Sequence, residues 1–91
     1  MKLLLDVRTE EEYEQECISN SLNIPHNELK DRLDELDKEK EIFVYCRSGQ
    51  RAMFAARVLT SLGYNAKNIG NLEAAKVYNL LMEETTYKTN I

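Results

Sequence analysis

Residues 41–51 read EIFVYCRSGQR, and this stretch decides the fold. The four residues after Glu41, IFVY, are all β-branched or aromatic, which is typical of a strand. Gly49 then permits a tight turn, and from Ala52 onward apolar residues recur at helical spacing. Gly63 ends that helix in the manner of a C-cap glycine. The sequence therefore predicts a strand, a short loop that begins at Cys46, and a helix.

The rest of the chain alternates strand and helix signals. A capping box at residues 9–12, TEEE, begins a helix that is predicted to reach about Glu16. Asn27 is placed to cap a helix through Leu36. The other predicted elements are strands at Leu3–Val7, Ser21–Ile24 and Ala66–Ile69, and a last helix from Leu72 to about Glu83 with a frayed remainder. This alternation predicts one α/β domain over residues 1–91, with a parallel sheet of about four to five strands and helices on both faces.

The charge of the 91-residue chain is unevenly distributed. Residues 1–41 hold thirteen acidic and six basic side chains, whereas residues 42–72 hold four basic and no acidic ones. A basic segment that includes Cys46 favours a small anionic substrate. Alternatively, the four basic side chains are scattered over helix surfaces and bind no ligand. The acidic remainder argues against nucleic acid as a partner.

The sequence lacks signals for membranes, secretion and metals. No apolar stretch approaches the ~20 residues that cross a bilayer. Asp6 and Arg8 interrupt the first apolar run too early for a secretory signal, so we expect a cytoplasmic protein. Cys17 and Cys46 are then expected to be free thiols. Neither lies at metal-ligand spacing from a second Cys or a His, so no metal is predicted, and His26 is interpreted as a capping or surface residue.

Cys46 is the candidate nucleophile. In a parallel α/β sheet, ligands gather beyond the carboxyl ends of the strands, where Cys46 is predicted to lie. The loop N–H groups, the start of the following helix, and Arg47 and Arg51 all favour a thiolate at this point. The alternative is an inert, buried cysteine at a strand end.

The loop CRSGQR, residues 46–51, resembles the active-site loop of rhodanese-like domains. The resemblance covers about residues 4–75, and its other motifs are LDVRT at 5–9, EY at 12–13, NIP at 23–25, LGY at 62–64 and GNL at 70–72. It implies a rhodanese-like fold. It also implies kinship with single-domain thiosulfate sulfurtransferases or with rhodanese modules of flavin-dependent disulfide reductases.

The resemblance implies roles for each residue of the loop. Cys46 would accept sulfane sulfur as a persulfide and pass it to a thiol or to cyanide by ping-pong kinetics. The residues implied to bind the anionic donor, thiosulfate, are Arg47, Ser48, Gly49, Gln50 and Arg51. No cofactor is implied, and a sulfur-relay protein or a disulfide reductase is the implied partner.

Two other functions stay open. The domain is alternatively a persulfide carrier or regulatory module that acts for a fused or separate partner enzyme. A cysteine-dependent phosphatase is the other candidate, because cell-cycle dual-specificity phosphatases resemble rhodaneses. Their loop has five residues between Cys and Arg, whereas four residues separate Cys46 from Arg51 here.

The remaining candidate residues are assigned structural roles. Asp6, Arg8 and Glu12 are expected to organise the turn after the first strand, with Arg8 and Glu12 paired at i,i+4 spacing. Cys17 stands where the family has a histidine. It is interpreted either as a resolving thiol for Cys46 or as a small apolar residue at a helix end.

Overall fold

Four strands alternate with four helical segments in the computed structural model, which describes residues 1–89 and the side chains of residues 1–81. The strands are β1 Lys2–Asp6, β2 Leu22–Asn23, β3 Glu41–Cys46 and β4 Asn65–Asn71, and the helical segments are α1 Glu10–Gln15, a 3-10 segment His26–Glu35, α2 Gln50–Ser61 and α3 Leu72–Thr89. All three strand pairs are parallel, in the order β2-β1-β3-β4. The predicted parallel α/β sheet is confirmed, with four strands.

The alternation of side chains along β3 explains why helices cover both faces of the sheet. Ile42 and Val44 point to one face, where they pack with Ala55 and Leu59 of α2. On the opposite face Tyr45 packs with Ala75 of α3. Because both faces are apolar, each needs a helical layer, and the central strand β3 is buried from Ile42 to Cys46. No helix among residues 1–89 has the length and apolarity needed to cross a membrane.

The helix predicted to begin at Asn27 is wrong in type. Residues 26–35 form a 3-10 helix that follows Pro25 without a side-chain cap and is interrupted at Arg32, where φ is −126°. Asn27 lies inside this segment, so its side chain does not cap it. Leu29 and Leu36 are nevertheless buried, so the kinked segment covers the sheet as the predicted helix would.

The ends of the other elements follow their capping residues. The capping box of α1 is present, with Thr9 and Glu12 exchanging hydrogen bonds. Gly63 lies just beyond α2 with φ of 93°, as a C-cap glycine does. The last helix is longer than predicted: α3 continues past Glu83 and ends at Thr89.

Candidate active site

Cys46 is the last residue of β3 and lies at the carboxyl edge of the sheet. Its Sγ accepts hydrogen bonds from two backbone N–H groups, that of Gly49 at 2.9 Å and that of Ala52 at 3.3 Å. The side chain is fully buried. Backbone N–H groups that converge on a sulfur stabilise negative charge on it. The site is therefore suited to an anionic sulfur.

Gly49 makes the turn that aims these donors. Its φ of 91° lies in the left-handed region, which glycine occupies without steric cost. The Gly49 carbonyl accepts the Met53 N–H at 2.9 Å, which starts α2, and the Asn68 Nδ2 group of β4 at 3.2 Å. Asn68 Oδ1 in turn accepts the Gly70 N–H at 2.8 Å. The neighbouring strand thus braces the loop through a residue that carries no sequence signal of this role.

A bulge in β4 brings its backbone close to the loop. Val44 pairs with Asn68 and Cys46 pairs with Asn71, so β4 has one more residue than β3 over this interval. The extra residue lies at Ile69–Gly70, where Gly70 has φ of 94°. A Cβ atom added to Gly49 would lie 3.7 Å from Gly70 Cα, so it would be in van der Waals contact with the backbone of β4.

Arg51 forms an ion pair with Glu12 across 39 positions of sequence. Arg51 Nη1 donates to Glu12 Oε1 at 2.9 Å and Nη2 donates to Oε2 at 3.2 Å. The predicted pair of Arg8 with Glu12 is therefore wrong. The hydrogen bonds from Arg51 are the largest cause of a Glu12 pKa of about 2, below its ordinary 4.5. Glu12 is thus held in its charged form against the candidate loop.

Arg8 pairs instead with Asp6, and both are buried. Arg8 Nε donates to both Asp6 carboxylate oxygens at 3.0 Å, and Nη2 donates to Oδ2 at 2.7 Å. Nη2 also donates to the Glu16 carbonyl at 2.6 Å, and Asn23 Nδ2 donates to the carbonyls of Asp6 and Arg8. These bonds link β1, the end of α1 and β2, and the structural role of Asp6 and Arg8 stays a prediction.

Tyr45 completes this buried polar cluster, a role that sequence reasoning missed. Its hydroxyl accepts the Ile18 N–H at 3.2 Å and lies 3.0 Å from the Ser21 hydroxyl. The guanidinium carbon of Arg8 lies 5.7 Å from the centre of its ring. Burial raises the pKa of Tyr45 to about 12. Because side chains alternate along β3, Tyr45 supports the face opposite to Cys46.

The other loop side chains are exposed. Arg47, Ser48 and Gln50 extend into solvent, and among the described side chains none of them makes an ion pair. A cavity of about 380 Å³ lies beside the loop, at the ends of β1, β3 and β4. Its walls are formed by Arg8, Glu12, Gln15, Glu16, Arg47 and Leu72.

Two further candidates, Cys17 and His26, make no hydrogen bond to the Cys46 sulfur in the described part of the chain. Cys17 is a partly buried free thiol and His26 is exposed. Among the described residues, the hydrogen bonds to Cys46 Sγ come only from Gly49 and Ala52. The proposed resolving role of Cys17 remains a prediction.

Comparison with known proteins places this fold and loop in one family. The sequence matches the rhodanese-like domain family over residues 1–75, and the chain belongs to that family. It is 36% identical to the thiosulfate sulfurtransferase PspE of Escherichia coli, over 76% of this chain and 69% of PspE. A mitochondrial relative from Schizosaccharomyces pombe is 39% identical over 76% of this chain, which spans only 56% of that protein. A solved rhodanese with anions from E. coli matches with a TM-score of 0.75 at 34% identity, over 81% of this chain and 91% of that one.

Proposed function

We propose that this chain is a sulfurtransferase that carries sulfane sulfur as a persulfide on Cys46, with thiosulfate as the donor. The observation that carries the proposal is the pair of backbone N–H groups, of Gly49 and Ala52, aimed at Cys46 Sγ. These donors match the negative charge that Sγ bears as a thiolate before the transfer. The names of the relatives in the family support the same class of reaction.

The proposed reaction has two displacements. The Cys46 thiolate attacks the outer sulfur of thiosulfate, a new S–S bond forms, and the old S–S bond breaks so that sulfite leaves with its electron pair. The product is a Cys46 persulfide anion. An acceptor thiolate or cyanide then attacks the terminal sulfur and releases the Cys46 thiolate. Neither step changes the number of protons or requires a metal or organic cofactor, and the scheme predicts ping-pong kinetics.

Access to the sulfur imposes a condition on this scheme. Cys46 is 0% exposed, so a donor contacts Sγ only when residues around it move. Arg47, Ser48 and Gln50 are the exposed residues of the loop, and exposed residues have fewer packing contacts that resist such a movement. Sulfur loading therefore includes an opening of the loop before the first displacement.

The test is the intact mass of the protein after incubation with thiosulfate. We expect the wild type and a Cys17→Ser variant to gain the mass of one sulfur atom, and a Cys46→Ser variant to gain none. Loss of the added mass on treatment with cyanide, with formation of thiocyanate, would establish the second displacement. Loading that is released to cyanide only slowly would indicate a carrier that serves a sulfur-relay or disulfide-reductase partner. Gain of sulfur by the Cys46→Ser protein, or no gain by the wild type, would contradict the proposal.

A further inference from the structure

The charges around the cavity beside the loop cancel in pairs, with one exception. Arg8 is paired with Asp6, Glu12 with Arg51, and Glu16 with Lys76. Arg47 lines the same cavity and has no ion-pair partner among the described side chains. The cavity therefore has an uncompensated positive charge at Arg47, next to Cys46. An anion that enters it meets one free cation, Arg47, among the side chains of residues 1–81.

Arg51 is not free in the same way. Its guanidinium gives two N–H groups to Glu12 in the two-pronged geometry that suits a carboxylate. Glu12 Oε1 also accepts the N–H and the hydroxyl of Thr9, at 3.0 and 3.1 Å. The carboxylate thus cannot follow Arg51 toward a ligand without breaking the capping box of α1. Arg51 is fixed to the start of α1.

The ion pair of Arg51 with Glu12 affects the Cys46 sulfur through the neighbouring residue. Arg51 lies in the first turn of α2 and directly precedes Ala52, whose N–H donates to Cys46 Sγ at 3.3 Å. A side chain fixed to α1 holds this turn in place and with it the N–H donor. Since α1 and α2 lie far apart in sequence, the ion pair fixes the loop relative to the rest of the fold.

We infer that Arg47 alone binds the anionic part of the sulfur donor, and that Glu12 is a positioning residue that acts on the reaction by holding Arg51. This inference rests on the proposed function and divides the work of the two loop arginines. It identifies Arg47 and the adjacent cavity as the site for the sulfonate of thiosulfate. Arg51 and Glu12 act as one unit that orients the donors to Cys46.

The two roles separate in the kinetics of sulfur loading in a Cys17→Ser background. Arg47→Ala is expected to raise the half-saturating thiosulfate concentration about tenfold and to change the maximal loading rate little. Glu12→Gln and Arg51→Ala are expected to lower the maximal rate several-fold with little change in half-saturation. Glu12→Gln is informative because glutamine preserves a capping box while removing the charge that holds Arg51. The double variant Glu12→Gln/Arg51→Ala should be no slower than Arg51→Ala alone.

A matched control separates this effect from general loss of an ion pair. Arg32 and Glu35 form a two-pronged pair on the 3-10 segment, with contacts of 2.6 and 3.0 Å. Glu35→Gln is expected to leave both kinetic quantities at the wild-type values. An Arg51→Ala variant that raises half-saturation as Arg47→Ala does would overturn the inference. So would faster loading in Glu12→Gln, or effects of Glu12→Gln and Arg51→Ala that simply add.

Failure of the proposed function can be told apart from failure of the inference about Glu12 and Arg51. A wild type that takes no sulfur from thiosulfate would refute the function, and the coupling is then measured with methyl methanethiosulfonate, a neutral reagent. The Cys46 thiolate attacks its sulfenyl sulfur and displaces methanesulfinate, so the rate reports the state of the thiol without an anionic donor. Equal rates in Arg51→Ala and in the double variant uphold the coupling of Glu12 to Arg51. Additive changes reject it.

Discussion

The backbone N–H of Gly49 lies 2.9 Å from Cys46 Sγ, and the φ of 91° at Gly49 makes this contact possible. An L-residue at this φ is strained because its Cβ crowds the backbone. The loop therefore combines one conformational requirement, at Gly49, with one chemical group, at Cys46. A substitution that changes only the conformation at Gly49 tests how much the reactivity of Cys46 depends on that conformation.

Gly49→Ala is expected to lower the free energy of unfolding by about 1–2 kcal/mol and to slow sulfur loading. Gly63→Ala is the matched control, since Gly63 has φ of 93° but lies beyond the far end of α2. An added Cβ would meet atoms at 3.7 Å in both cases, so neither variant suffers a direct clash. Urea unfolding should show similar losses in both variants, and mass spectrometry should show slow loading only for Gly49→Ala. Equal loading rates would show that the turn at Gly49 does not orient the donors.

The sequence predicted the parts of this site that local chemistry determines. The strand that leads to Cys46, the turn at Gly49 and the helix after it follow from residue types within a dozen positions. The capping box at Thr9 is equally local. These features depend on backbone propensities and short-range hydrogen bonds, which sequence spacing reports directly.

The contacts between elements could not be predicted in this way. An i,i+4 pair of Arg8 and Glu12 requires both residues on one helix, but α1 begins at Glu10 and Arg8 lies before it. Arg8 turns into the protein to neutralise the buried Asp6, which leaves Glu12 to pair with Arg51. The choice between these partners is made by tertiary packing.

The hydrogen bond from Asn68 of β4 to the Gly49 carbonyl could not be predicted from the sequence either. Asn68 reaches the Gly49 carbonyl because β4 lies beside β3 and bulges at Gly70. Asparagine is common in turns and strand ends, so the residue type alone predicts no such contact. Its role follows from the strand order.

The Glu12–Arg51 pair makes stability depend on acid pH. The pKa of Glu12 is about 2 in the folded protein and near its ordinary 4.5 when the chain unfolds. Because the folded-state pKa is depressed, the stabilisation is fully present above about pH 4.5 and is lost as the pH falls toward about 2. The difference in unfolding free energy between wild type and Glu12→Gln should therefore shrink over this window in urea titrations. A difference that stays constant from pH 6 to about pH 3 would contradict the assigned pKa shift.

Asp6→Asn is expected to destabilise the fold strongly. It leaves the buried guanidinium of Arg8 without its counter-charge, and breaking one side of a buried pair costs about 3–5 kcal/mol. Glu35→Gln removes a carboxylate of similar geometry from a surface pair with Arg32, for which little or no loss of stability is expected. Thermal and urea unfolding of the two variants measure the contrast. Similar losses in both would mean that burial of Asp6 and Arg8 does not govern their contribution.

Tyr45→Phe separates the stability of the fold from its chemistry. The variant removes the hydroxyl that accepts the Ile18 N–H and meets Ser21, so a loss of about 1–3 kcal/mol in unfolding free energy is expected. Tyr64→Phe is the control, because the hydroxyl of half-buried Tyr64 makes one long hydrogen bond among the described residues, 3.4 Å to the Leu33 carbonyl. That change should fall within about 0.5 kcal/mol.

The same variant has a second signature at alkaline pH. The pKa of Tyr45 is raised from 10.0 to about 12 by burial, so the folded state holds this proton more tightly than the unfolded state does. The stabilisation from the neutral hydroxyl is complete below pH 10 and declines as the pH rises toward about 12. Tyr45→Phe should therefore lose less stability than the wild type between these values, measured by urea unfolding.

The sulfur loading of Tyr45→Phe at 10 °C should match that of the wild type, since Tyr45 and Cys46 face opposite sides of β3. Slow loading by a folded Tyr45→Phe protein would show that the buried polar cluster also controls the loop.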